Sequence, residues 1–298
     1  MEDAMNRKQF LSEKVAGLIL RVFASKEDDI QNRIKMIEDA IQATHRMIVD
    51  GVQVVRRIDV LVWADKSYKD SDCGKTAVAL REALKEEKSV FVSEVEHADI
   101  FCGILNYGIV HQLRKGVDYS IIASAEAFSY MTPETMGNMI DAACAGAKAI
   151  PVAITELTQS ILEGRGANTF MMWHNESLMT VGGFDLRAAK PTDDRTAHYM
   201  KGWNQEKGEV YYHLAGVEEV IPLARMIQTF GPCIAPIVPS GEGVKKYIVP
   251  DPATQREMWE RHISKMGTKF ERQSAHLAAI GVDPSYIKGG VMPKYRQF

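Results

Sequence analysis

Gly74-Lys75-Thr76 is the string that first suggests phosphate chemistry, because a Gly-Lys-Thr can close a loop of backbone amides around phosphate oxygens. That loop needs a further glycine five residues earlier, and the residue there is Lys69, so an ATPase reading is set aside. The histidines contain no His-Glu-x-x-His string. Cys73, Cys102, Cys144 and Cys233 form no Cys-x-x-Cys pair. A zinc hydrolase and a redox dithiol fall with them. More telling are polar residues directly behind apolar runs: Ser25 behind Val15 to Phe23, Asp65 behind Ile58 to Trp63, and Ser124-Ala125-Glu126 behind Tyr119 to Ala123. Asp193 and Asp194 follow Pro191 and Thr192, a pattern that also suits a turn or a helix cap. His174 stands between Trp173 and Asn175, and Arg165, Lys245 and Lys246 lie in glycine-flanked strings.

The elements behind these residues read as strands alternating with helices. The first apolar run is of strand length. Ser25 and Asp28 then fit a capping box, and Ile30, Ile34, Ile37 and Ile41 recur as one helical stripe. The run ending at Trp63 is a second strand, followed by a helix carrying Val78, Leu80 and Leu84. Ser89 to Val95 is a third strand, a helix covers about Ile104 to Lys115, and Tyr119 to Ala123 is a fourth strand. Thr132, Pro133 and Glu134 make a strong helix start, Gly146 a stop, and Ala147 to Ile154 another strand. Such alternation predicts a mostly parallel, helix-covered sheet, which binds ligands at the carboxyl ends of its strands. Beyond Ile154 the alternation fades. Residues 168–185 read as loops around a short helix, 230–252 as a proline- and glycine-rich connector, and Pro252 to Ile280 as a long helix presenting Trp259, Ile263, Met266 and Phe270.

Composition narrows the class. Apolar residues make up 46% and charged residues 25%, which suits a globular chain with a large core. The 36 basic and 39 acidic residues are mixed along the chain, so no basic block predicts nucleic-acid binding. No apolar run approaches the ~20 residues of a transmembrane span, and none stands behind the N-terminus as a secretion signal. With scattered cysteines, these features lead us to expect a soluble, cytoplasmic protein.

Three stretches resemble the GT-A glycosyltransferases, especially the large inverting, polysaccharide-type group. They are the two early strands ending near Ser25 and Asp65; Gly116-Val-Asp-Tyr-Ser-Ile-Ile-Ala-Ser-Ala-Glu126 with Met131-Thr-Pro-Glu-Thr135; and Ser177-Leu-Met-Thr-Val-Gly-Gly-Phe-Asp185. The resemblance covers roughly residues 13 to 225. It implies a nucleotide-sugar-binding domain over 13–229, with the connector and C-terminal helix of 230–298 packed on it. It further implies transfer of a sugar from a nucleotide diphosphate sugar to a hydroxyl acceptor. Ser25 and Asp65 would face the nucleoside, Ser124 and Glu126 the diphosphate, and Asp193 or Asp194 would act as catalytic base. His174 and Asp185 would lie toward the substrate.

One departure stands out. Ser124-Ala125-Glu126 replaces an Asp-x-Asp motif, leaving Glu126 as the metal candidate for a weakly held Mg²⁺ or Mn²⁺. Metal-free transfer, with basic side chains on the diphosphate, stays open. So do a non-catalytic nucleotide-sugar-binding or scaffold protein and, with no glycine-rich loop behind the first strand, a nucleotidyltransferase. The C-terminal helix offers a surface for homo-oligomerisation or for packing on the core.

Overall fold

A computed structural model describes residues 2–23, 30–63, 73–95, 101–154, 160–185, 201–204, 209–212, 218–242, 244, 251–257, 259–260, 269–279 and 281–296. In chain order the elements are α1 (Glu2–Glu13), β1 (Ala16–Phe23), α2 (Ile30–His45), the hairpin β2 (Ile48–Val49) and β3 (Val52–Gln53), and β4 (Val55–Trp63). Then come α3 (Cys73–Ala83), β5 (Val90–Val95), α4 (Phe101–Arg114), β6 (Tyr119–Ala123), a 3-10 turn (Ala125–Tyr130) and α5 (Pro133–Cys144). The chain continues through β7 (Ala149–Pro151), a π turn (Ile161–Arg165), β8 (Phe170–His174), α6 (Asn175–Thr180), β9 (Lys201–Asn204) and β10 (Glu209–Tyr212). It closes with α7 (Val220–Phe230), α8 (Lys269–Ala279) and α9 (Tyr286–Gly289).

Six strands form one sheet in the order β5-β4-β1-β6-β8-β7. β5, β4, β1 and β6 are parallel to one another, and β8 runs antiparallel to both of its neighbours. The protein is therefore an α/β protein with a mostly parallel, helix-covered sheet, the class that the alternation predicts. Continuous apolar strands such as Leu18-Ile-Leu follow from burial on both faces. Leu18, Leu20 and Val22 point into one core, together with Ile34, Ile37 and Ile41 of α2 and Met136, Met139 and Ile140 of α5. Ile19, Leu61 and Ile122 point into the other, with Leu105 and Ile109 of α4 and Leu223 and Met226 of α7.

Local signals place α5 as expected. Thr132 Oγ1 accepts from Thr135 N at 3.1 Å, and Pro133 occupies the first turn. β8 differs from the expected loop: Phe170-Met-Met-Trp-His is a fully hydrogen-bonded strand, because pairing with β6 and β7 satisfies its backbone on both sides. The C-terminal helix is shorter at its start than expected. Residues 252–254 turn around Asp251, whose carboxylate accepts from Ala253 N and Thr254 Oγ1, both at 2.9 Å. The described helix α8 packs on α7 within the chain, burying Lys269, Gln273, His276 and Leu277. No helix among the described residues is long and apolar enough to cross a membrane.

The amino half of the sheet carries a buried polar network. Gln112 of α4 donates from Nε2 to Leu18 O at 3.1 Å and to Asp59 Oδ2 at 2.9 Å, while Ser120 Oγ donates to Gln112 Oε1. Arg57 grips Asp59 with two bonds of 2.8 Å. A Cβ at Gly17 of β1 would stand 2.7 Å from the Gln112 amide and would push it off these bonds.

Candidate functional site

The carboxyl ends of the parallel strands lie together, with Phe23 paired to Trp63 and Trp63 to Val95. Ser25 and Asp65 each follow these ends by two residues and lie outside the described residues, as do Asp193, Asp194, Lys245 and Lys246. Ser124 is described. Its N–H donates to Thr169 O at 2.9 Å, which ties the end of β6 to the loop that enters β8. Its Oγ is buried and has no hydrogen-bond partner among the described residues. Glu126 follows in the 3-10 turn, and its side chain lies outside the described residues.

His174 goes elsewhere. Because β8 is antiparallel, His174 pairs with Tyr119 at the amino end of β6, whereas Phe170 pairs with Ala123 at the carboxyl end. The imidazole caps α6: Nδ1 accepts from Ser177 N at 3.3 Å and lies 2.7 Å from Ser177 Oγ. Its ring packs on Tyr119 at 4.9 Å, and burial followed by Lys148 pulls its pKa below the usual value. The fold therefore separates His174 from Ser124 by the length of the strand.

The Gly-Gly-Phe-Asp string packs on α4 and α7. Asn106 of α4 donates from Nδ2 to Phe184 O and accepts from Phe184 N, both at 2.8 Å. Gly183 has φ +69°, and a Cβ there would meet Asn106 Oδ1 at 2.5 Å, so glycine is needed for both reasons. Asp185 accepts from Arg225 Nη2 of α7 at 2.9 Å. It is thus an ion-paired group rather than a free carboxylate.

A second set of charges gathers where α7 begins. Glu219 is fully buried. Its Oε1 accepts from Lys269 Nζ at 2.8 Å and Gln273 Nε2 at 3.2 Å, while Oε2 is without a partner among the described residues. Burial, with Glu218 and against the pull of Lys269, raises the Glu219 pKa to about 7. Glu218, Glu219 and Asp185 also act, after burial, to push up the thiol pKa of Cys102. These carboxylates therefore lie within electrostatic reach of Cys102 in the first turn of α4, which follows β5 at the carboxyl edge. Arg165 is buried in the π turn, 3.5 Å from Gln273 Oε1.

Asn106, Asn168, Glu219 and Arg225 escape sequence reasoning, since isolated polar residues inside helices and loops carry no spacing signal. The apolar run Phe170 to Trp173 could have been read as a strand. Its direction could not. Among the described residues no group of three His, Cys, Asp or Glu side chains is placed to hold a metal ion. A cavity of about 440 Å³ lined by Arg7, Asp50, Glu134 and Asn138 includes none of the strand-end residues.

No family model and no curated protein matches the chain. Among solved structures it is similar to Mycobacterium tuberculosis glucosyl-3-phosphoglycerate synthase, with 11% identity and a TM-score of 0.46 over 94% of this chain and 85% of that one. It is also similar to a crystallised mycobacterial protein, with 12% identity and a TM-score of 0.45 over 94% and 79% of the two chains.

Proposed function

We propose that the protein is a glycosyltransferase that moves a sugar from a nucleotide diphosphate sugar to a hydroxyl acceptor. The observation that carries this reading is the buried, unpartnered Ser124 Oγ at the carboxyl end of β6, where a parallel helix-covered sheet binds its ligands. The resemblance of the surrounding strings to the GT-A glycosyltransferases supports the same reading. Ser25 and Asp65 would contact the nucleoside. Ser124 would donate to the diphosphate, with Glu126 beside it. The acceptor oxygen would attack the anomeric carbon as its proton passes to Asp193 or Asp194. The bond from that carbon to the phosphate oxygen breaks, and its electron pair leaves with the nucleotide diphosphate. This scheme gives no role to His174 and Asp185, which are engaged by the α6 cap and by Arg225.

The strand-end string supplies one carboxylate and one neutral hydroxyl, which fits a resident divalent cation poorly. A Mg²⁺ or Mn²⁺ would take most of its ligands from the substrate phosphates, where it would stabilise the departing charge. The exchange of a metal-binding aspartate for Ser124 also favours a second reading, in which the chain binds a nucleotide sugar without consuming it.

The test is thermal unfolding against nucleotide diphosphates and nucleotide sugars, with and without Mn²⁺, followed by a turnover assay on whichever binds. A ligand at a hundred times its Kd adds about 2.7 kcal/mol, or several degrees at roughly 2–4 °C per kcal/mol. A shift together with turnover that Asp193→Asn and Asp194→Asn abolish supports transfer. Turnover untouched by both substitutions removes them from the reaction. Binding without turnover selects the second reading, and no shift with any nucleotide overturns both.

A further inference from the structure

Asn168 stands in the loop that delivers the chain into β8, and it is 4% exposed. Its Oδ1 accepts from Trp173 Nε1 at 3.0 Å. An indole N–H can only donate, so this bond fixes which end of the carboxamide is oxygen and leaves Nδ2 facing away from the ring. Trp173 is held in turn. It is fully buried, and Phe184 meets it edge-on with ring centroids 5.3 Å apart at 85°. The Phe184 backbone is the one clamped by Asn106. A continuous chain of contacts thus runs from α4 through the Gly-Gly-Phe-Asp string to the Asn168 carboxamide.

Nδ2 itself is buried and has no acceptor among the described residues. An unmatched donor in the interior costs about 1–3 kcal/mol. An apolar residue of similar size would avoid that cost at the Nδ2 end. The next residue, Thr169, accepts the Ser124 N–H, so Asn168 adjoins the bond that ties this loop to the end of β6. Ser124, whose N–H makes that bond, carries another buried polar atom, Oγ, that has no partner among the described residues.

We infer that Asn168 is a ligand-binding residue of this site, with Nδ2 donating to an oxygen of the nucleotide diphosphate sugar. The inference rests on the nucleotide-sugar reading of the site. Trp173 and Asn106 are positioning residues: they aim the carboxamide and touch no substrate.

The substitutions Asn168→Asp and Asn168→Leu separate the donor from the scaffold. The aspartate keeps an oxygen for Trp173 and removes both N–H groups, and the leucine removes the donor without adding charge. Calorimetry on the full chain with UDP, GDP and their glucose and mannose esters gives the affinities. Unfolding of the ligand-free variants checks the fold. The nucleotide that binds the wild type is expected to bind both variants at least about tenfold more weakly, while Asn168→Leu, which buries no charge, still unfolds cooperatively. A loss shared by the nucleoside diphosphate and its sugar ester assigns the bond to the diphosphate; a loss confined to the ester assigns it to the sugar. A smaller change in either folded variant overturns the inference and leaves the site reading intact. A wild-type chain that binds none of these compounds overturns the site reading and the inference with it.

Discussion

Ser120 and Ser124 stand four residues apart, one inside β6 and one just beyond it, and the fold treats them oppositely. Ser120 belongs to the amino half, where Gln112, Asp59 and Arg57 meet one another's polar atoms. Ser124 belongs to the carboxyl edge, where its hydroxyl, the Asn168 amide and one Glu219 oxygen are buried without a match. The two regions share a sheet and a similar degree of burial. Unmatched groups are not confined to that edge, since among the described residues Asn175 Oδ1 is buried without a partner at the amino end of β6. It is those of the carboxyl edge, however, that the proposed function assigns to a ligand.

That contrast is sharpest at Asp59. Asp59→Ala removes the buried carboxylate that Arg57 and Gln112 share, leaving the part-buried Arg57 charge without its ion pair, and should cost about 3–5 kcal/mol in chemical denaturation. Ser120→Ala, which strands only Gln112 Oε1, should cost about 1–3 kcal/mol. Ser124→Ala removes a hydroxyl that pairs with nothing and should change stability by less than about 0.5 kcal/mol while weakening nucleotide binding. Equal losses at the two serines would erase the distinction between the halves.

Gly183 probes the link between them. Gly183→Ala places a methyl group against Asn106 at a backbone angle that L residues avoid, and should cost about 1–3 kcal/mol. Asn106→Gly combined with Gly183→Ala should recover the steric part of that loss but not the backbone part. Full additivity in that double-mutant cycle would show that the clamp carries none of it.

The smallest effect is one of pH. Glu219 has a folded pKa raised to about 7 from its ordinary value of 4.5, so between those values the folded state holds a proton that the unfolded chain has released. Its contribution is fully present below about 4.5 and is lost as pH rises through about 7. Wild type measured against Glu219→Gln should therefore be relatively more stable at pH 5 than at pH 8. A difference that does not vary with pH would mean that Glu219 does not titrate in this range.

How much of this could be read beforehand depends on the reach of each interaction. The stripe Ile30, Ile34, Ile37 and Ile41 specifies α2, and Thr132-Pro133-Glu134 specifies the start of α5, because helix periodicity and capping act over a few neighbouring residues. The alternation of such elements determines an α/β protein whose parallel strands end at Phe23, Trp63 and Ala123, and it directs attention to Ser124. Tertiary structure alone decides the rest. The reversal of β8 is invisible in the run Phe170 to His174, since strand direction follows from pairing with β6 and β7, and it carries His174 to the opposite end from Ser124. Likewise Asn106 meets Phe184, and Glu219 meets Lys269, across long separations in the chain. Local residue types set what each segment can become, whereas which buried polar groups find partners is settled only when distant segments pack together.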